Sequence, residues 1–312
     1  LGSKPDEFEM VLVCGISSPI YLLDRLGIPW EQVCLVSCHG QRVNPVPLIA
    51  ANDKVCVLLG ESGSVSELCQ GLTEAGLSSV RVTVGERLTY PDERIVKAAA
   101  QELTGQFFDP LSVALFENPA PSEERLGFGI GDGEFIRSKV PMTKEEVRIL
   151  SLSKLHLKPD SIVYDIGAGT GSVSIEAALQ CRRGHVYAIE KKDEAVQLIR
   201  ENQRKFHAGG LTVVKGEAPD CLTALERPTH AFIGGSSGRL ADIIRLLRDK
   251  NEHIRIVVNA VTLETLAQMQ AILAEDASLR AEVIQVQVAR STAVGDYHLI
   301  KGENPVYIFC LE

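Results

Sequence analysis

Asp165-Ile-Gly-Ala-Gly-Thr-Gly171, DIGAGTG, is the stretch on which the reading of the fold turns. It directly follows a strand-like run, Ser161 to Asp165 (SIVYD), and opens a helical pattern, Ser172 to Leu179. Glycines let the chain turn tightly there and bring its backbone close to a ligand. The helix that follows presents unpaired N–H groups and the positive end of its dipole. Such a loop suits an anionic or carboxylate-bearing cofactor. The nicotinamide fingerprint G-x-G-x-x-G would place its third glycine where Ser172 stands, and Gly171 arrives one residue early. Glu190 ends the next strand-like run, where an acidic side chain can accept both hydroxyls of a ribose. It points to a nucleoside without choosing among nucleoside cofactors, and a solvated strand end is the plainer alternative.

Outward from the loop the rhythm is regular. Strand-like runs fall at His185 to Glu190, Leu211 to Val214, His230 to Ile233, Ile254 to Val258, Val283 to Ala289 and Val306 to Leu311. Helical patterns such as Asp193 to Phe206 and Thr262 to Leu273 fill the gaps as far as the sixth run, and a helix-free loop joins the last two. With Ser161 to Asp165 this makes seven strands in a mainly parallel, doubly wound sheet with one antiparallel strand. The layout resembles the Rossmann-like class I methyltransferase fold. Upstream, runs such as Val55 to Leu59 and Val80 to Val84 alternate with a helical pattern at Ser64 to Gly76, which reads as a smaller α/β lobe. The Pro- and charge-rich stretch Asn118 to Gly127 follows an apolar run, LSVALFE, that reads as a closing strand. The expected division is 1–118, a linker at 119–128, and 129–312.

A chain of 312 residues, 45% hydrophobic, has room for two cores. No apolar run approaches the ~20 residues of a membrane span, and the first residues lack the basic-then-apolar pattern of a signal peptide. No membrane partner and a cytoplasmic location are the expectations. A formal charge of −9 disfavours nucleic acid. Eight cysteines are scattered without a C-x-x-C pair and read as buried free thiols in a reducing compartment. With no H-E-x-x-H and no paired histidines, no metal is expected.

Several segments together resemble the decarboxylating precorrin methyltransferases of cobalamin biosynthesis. They are Gly129 to Arg148 (GIGDGEFIRSKVPMTKEEVR), the DIGAGTG loop, Gly216 to Pro219 (GEAP), Phe232 to Leu240 (FIGGSSGRL) and Glu303 to Ile308 (ENPVYI). Upstream, GISS (Gly15 to Ser18), RLGIPW (Arg25 to Trp30), SCHGQ (Ser37 to Gln41) and ERLTYPDERI (Glu86 to Ile95) resemble the second lobe of a tetrapyrrole methylase domain. The glycine-rich strand and Gly-Asp-Pro segment of a first lobe are not found, so a fragment or truncated form is expected, without carbon 5 methylation assigned to it. Cys14 stands where a proline is usual, and Leu59 to Gly63 matches loosely.

The resemblance implies S-adenosylmethionine as cofactor and a precorrin as substrate, methylated at carbon 15 with loss of carbon dioxide from the ring C acetate. It implies that Asp165, Gly167, Ala168, Gly169, Thr170 and Gly171 hold the amino-acid end of the cofactor, Glu190 the ribose, and Glu217 with Ala218 the adenine edge. Thr143 resembles a cofactor contact, and equally an N-cap, since T-K-E-E precedes an apolar helix. Arg137 and Lys139 are candidates for the substrate carboxylates. Ser236, Ser237 and Arg239 follow the fourth strand, at the sheet edge where the reacting carbon would lie, or form only a flexible loop. Tyr297, between the last two strands, could stack on the macrocycle or pack in the core. No general base is assigned, because methyl transfer is carried mainly by proximity and orientation. A homo-oligomer built through the second domain is the expected assembly.

Two other functions are compatible with the loop. A methyltransferase acting on RNA or protein would carry a basic face or an N-P-P-[YF] motif after the fourth strand, where this chain has IGGSSG. A non-catalytic cofactor- or tetrapyrrole-binding scaffold would bind without turnover.

Overall fold

The computed structural model describes residues 11, 13–40, 43–60, 64–122, 127–276 and 278–312. The first part of the chain runs α1 (Ser18–Leu26), β1 (Cys34–Ser37), α2 (Val46–Ala51), β2 (Lys54–Leu58), α3 (Val65–Glu74), β3 (Arg81–Glu86), β4 (Arg94–Ala99), α4 (Ala100–Leu103) and β5 (Ser112–Glu117). Its five strands form one sheet in the order β1-β2-β5-β3-β4, parallel only between β1 and β2. α3 begins where the sequence pattern places it because Ser64 and Glu67 form a reciprocal capping box, satisfying two N–H groups at its start. Asn118 closes the lobe: its amide, 4% exposed, donates to the carbonyls of Ile49 and Ala50.

The second part runs α5 (Glu145–Leu155), β6 (Ile162–Ile166), α6 (Ser172–Gln180), β7 (His185–Glu190), α7 (Asp193–Lys205), β8 (Leu211–Lys215), β9 (His230–Ile233), α8 (Leu240–Lys250), β10 (Arg255–Ala260), α9 (Leu263–Glu275), β11 (Ala281–Val286), β12 (Ala289–Val294), β13 (Tyr297–Gly302) and β14 (Val306–Leu311). Seven of these strands form a sheet in the order β11-β14-β10-β9-β6-β7-β8. β14 alone is antiparallel to its neighbours, β10 and β11. β6 is central and buried along its whole length, because helices cover both faces. Val163, Val186 and Val257 point to the side packed by α5, α6 and α7. Tyr164, Ile189, Ile256 and Val258 point to the side of α8 and α9. Among the described residues no helix is long and apolar enough to cross a membrane.

Three expectations are corrected. The segment joining the last two strands of the sheet is a β-hairpin, β12 with β13, turning at Gly295 and Asp296. A Gly-Asp pair between two β-capable runs favours a two-residue turn, and Gly295 takes the left-handed conformation at φ 59°. The N-cap of α5 is Lys144 rather than Thr143, without a side-chain bond to the first turn. Thr143 instead offers its carbonyl to Arg148, which draws it toward the core. The cysteines are free, but Cys14 is exposed and Cys34 and Cys221 are half-buried, since these three lie outside the packed centres of the sheets.

Candidate active site

At the C-terminal ends of β6, β7, β8 and β9 lies a cleft of about 270 Å³. Such a position follows from topology: parallel strands aim their following loops to one edge, and the ligand site sits where the strand order reverses. Here the reversal falls at β6, between β9 and β7. Gly167 and Gly169 wall one side, Glu190 and Glu217 with Ala218 another, and Gly234, Gly235, Ser236 and Ser237 a third.

The glycines of the loop are required sterically. Gly167, Gly169 and Gly171 take φ values of 75°, 57° and 80°, which L side chains rarely adopt. A Cβ on Gly167 would stand 2.7 Å from the Gly235 carbonyl oxygen, and one on Gly169 would stand 2.6 Å from that of Pro141. Gly171 is the N-cap of α6 and has no side chain to cap its first turn. Ala168 and Thr170 complete the loop without lining the cleft.

Glu190 is fixed by the backbone. One carboxylate oxygen accepts from Gly169 N at 3.0 Å, and the other from Lys191 N at 2.8 Å and Lys192 N at 2.9 Å. Across the cleft, Lys191 Nζ donates to Glu217 at 3.0 Å and to Ser237 Oγ at 2.8 Å. That ammonium holds the Glu217 carboxyl below the usual carboxylate range. Arg239 turns away to pair with Asp220 at 2.7 Å. Asp165, 1% exposed at the end of β6, receives a bond from the Ser174 hydroxyl on one oxygen, and its other oxygen has no partner. Burial pushes its carboxyl up to about 7, against that hydrogen bond.

Not every sequence candidate comes to the cleft. Arg137 and Lys139 are exposed on the segment that leads to it, and Thr143 stands back from it with its carbonyl on Arg148. Tyr297, 75% exposed, begins β13 on the hairpin. Conversely, Val140, Pro141, Lys191 and Lys192 line the cleft and were not expected there. For the two lysines the signal was their place just after Glu190. For Val140 and Pro141 only the tertiary fold brings them over the loop.

The residues that line the cleft fit a nucleoside cofactor: Gly167 and Gly169 bring backbone to it, and the fixed Glu190 lies one strand away, where a ribose is held in this topology, while Asp165, with its partnerless oxygen, and the first turn of α6 are buried behind the loop and do not line the cleft. Strand order and cleft together define a class I methyltransferase that uses S-adenosylmethionine. Residues 134–312 match the family model described as the precorrin methyltransferase domain, and residues 1–104 match that of the tetrapyrrole (corrin/porphyrin) methylases. The chain belongs to the precorrin methyltransferase family. A precorrin-6Y C(5,15)-methyltransferase [decarboxylating] from Sinorhizobium sp is 32% identical over 287 residues, which is 90% of this chain and 68% of that protein. A cobalt-precorrin-6B C(15)-methyltransferase (decarboxylating) from Salmonella typhimurium is 39% identical over 183 residues, which is 58% of this chain and 94% of that protein. The crystal structure of a precorrin-6y C5,15-methyltransferase from Geobacter metallireducens GS-15 aligns with a TM-score of 0.56 at 41% identity, covering 59% of this chain and 96% of that one.

Proposed function

We propose that residues 129–312 methylate a precorrin at carbon 15 and release carbon dioxide from its ring C acetate, a step in building the corrin ring of cobalamin in the cytoplasm. The observation that carries this reading is the Salmonella relative: nearly its whole length aligns with this one domain, and its name gives methylation at C(15) of cobalt-precorrin-6B with decarboxylation. Residues 1–118 we read as the second lobe of a tetrapyrrole methylase domain, joined through 119–128.

S-adenosylmethionine, when bound, supplies an electrophilic methyl group on a sulfonium. Asp165 and the loop from Gly167 through Ala168, Gly169 and Thr170 to Gly171 hold its amino-acid end, Glu190 its ribose, and Glu217 with Ala218 its adenine edge. Ser236 and Ser237, on the loop after β9, face the acceptor. Arg137 and Lys139 are exposed, uncommitted cations beside Val140 and take the substrate carboxylates. When the acetate C–C bond breaks, its electron pair enters the conjugated macrocycle, so the substrate is its own electron sink. The chain's contribution is orientation and exclusion of water, and no general base is assigned.

Assembly as a homo-oligomer through this domain is part of the proposal. The hairpin of β12 and β13 exposes Val294, Tyr297 and Leu299 on one face, and a two-stranded hairpin is marginal in water by itself. Tyr297 then serves the subunit interface before it serves the macrocycle.

The test is calorimetric titration with S-adenosylhomocysteine and, separately, NADH, on the wild type and Gly169→Arg. The expected outcome is binding of S-adenosylhomocysteine by the wild type alone, followed by coupled methyl transfer and carbon dioxide release on a precorrin. Binding of NADH, or of neither compound, would sink the reading.

A further inference from the structure

Residues 129–143 cross the glycine loop without regular secondary structure, bringing Val140 and Pro141 to the cleft. A backbone without a ladder needs hydrogen-bond partners from elsewhere. Several side chains provide them. Arg148, fully buried on α5, sits inside the curve of the segment: it bonds Asp132 at 3.2 Å, the Thr143 carbonyl at 2.6 Å and the Ile130 carbonyl, and lies 4.9 Å over the Phe135 ring. Its remaining contact is Glu176 of α6, at 2.6 Å, which also accepts from Gly129 N and Ile130 N. Ser138 donates to Glu194 of α7 at 2.6 Å and accepts from Val140 N at 3.2 Å.

Asn202 is a further one. It stands fully buried on the face of α7 that also presents Ala195, Val196, Leu198, Ile199 and Gln203, where an apolar side chain would pack without any need for partners. Both hydrogens of its amide are used, and its oxygen accepts one bond. The oxygen accepts from Ile136 N at 2.8 Å, and the nitrogen donates to the Ile136 carbonyl at 3.1 Å and to the Thr170 carbonyl at 3.0 Å. One side chain thus grips the crossing segment and the glycine loop together, and fixes the spacing between them.

We propose that residues 129–143 form a fixed roof on the cofactor cleft, and that Asn202, with Ser138 and Arg148, sets cofactor affinity by fastening that roof. None of the three lines the cleft, so they are positioning residues: their loss removes no ligand contact and loosens the ones that Val140, Pro141 and the glycine loop provide. The inference rests on the cleft being the S-adenosylmethionine site. A loosened roof shows in faster release more than in slower entry, because affinity differences between closely related complexes reside mostly in dissociation.

The experiment measures the Kd and dissociation rate of S-adenosylhomocysteine, with the melting temperature, for the full chain and for Asn202→Leu, Ser138→Ala and Ser138→Thr. Asn202→Leu is expected to raise Kd about 10-fold and Ser138→Ala about 3-fold, both through dissociation, while Ser138→Thr restores the wild-type value because it keeps the hydroxyl. Folded variants that bind as tightly as the wild type, whatever their melting temperature, overturn the proposal. Should Asn202→Leu fail to fold, the exposed Ser138 pair decides alone: affinity lost in alanine and regained in threonine supports the roof, and equal affinity in all three overturns it. A wild type that binds no S-adenosylhomocysteine would defeat the reading of the cleft itself, and the roof with it. A wild type that binds beside unaffected variants would defeat the roof alone.

Discussion

At Asp165 one carboxylate oxygen rests on Ser174 and the other has no partner, in a site closed to water. Burial lifts this carboxyl from 3.8 to about 7. Between those values the folded chain keeps a proton that the unfolded chain has released, so stability falls as pH rises from about 4 to about 7. Three pH units correspond to a loss on the order of 4 kcal/mol. Asp165→Asn removes this contribution, so denaturant midpoints at pH 5 and pH 8 should converge in the variant relative to the wild type; an identical pH response in both would contradict the assignment. The loop itself was legible because glycine is the residue that its left-handed conformations and its 2.6–2.7 Å approaches demand. Arg148 was not legible, since Glu-Glu-Val-Arg on a helix reads as a solvated charge, and its burial depends on Glu176, 28 positions away on another helix. Arg137 and Lys139 show the converse: a motif fixed their family resemblance but not the direction in which they face.

Among elements, the interior strands of the seven-stranded sheet were legible because they are largely buried on both faces and read as apolar runs, while β8 and β11 at its edges are partly exposed. The hairpin escaped because β12 and β13 are exposed throughout, and ARSTAV and YHLIKG carry no burial period. Its Gly-Asp turn was the available signal. Arg290 fastens β12 to the rest of the domain through Glu146 at 2.5 Å and Glu303 at 3.4 Å, so the hairpin is held in place with its apolar face uncovered among the described residues. If that face joins subunits, the double variant Val294→Ser with Leu299→Ser should reduce the mass found by light scattering while S-adenosylhomocysteine binding persists. An unchanged mass would remove the hairpin from the assembly.

For the molecule as a whole, the alternation of strands and helices after residue 129 could be read from the sequence, because it dictates a doubly wound sheet, while upstream β1 and β4 could not. The composition break at Asn118 could not foretell that this side chain bonds α2, or that Ser122 beyond it also bonds the Ala50 carbonyl. Since the Salmonella relative is nearly all one such domain, residues 127–312 should fold alone and bind S-adenosylhomocysteine within about 3-fold of the full chain's Kd, a change under 1 kcal/mol. A much weaker Kd would mean that the first lobe supports the cleft.

β14 lies between β10 and β11, and β11 is bonded to no other strand of the sheet. Of the seven strands, the last to leave the ribosome is therefore an interior one. Until Leu311 emerges, β10 presents an open edge and β11 has nowhere to dock. The nascent domain must wait with its cofactor half, β6 to β9, already able to assemble, while the other half stays unzipped. Translation thus completes this sheet from the inside, and the interval before β14 inserts is when the newborn chain is most exposed to pairing with a neighbour.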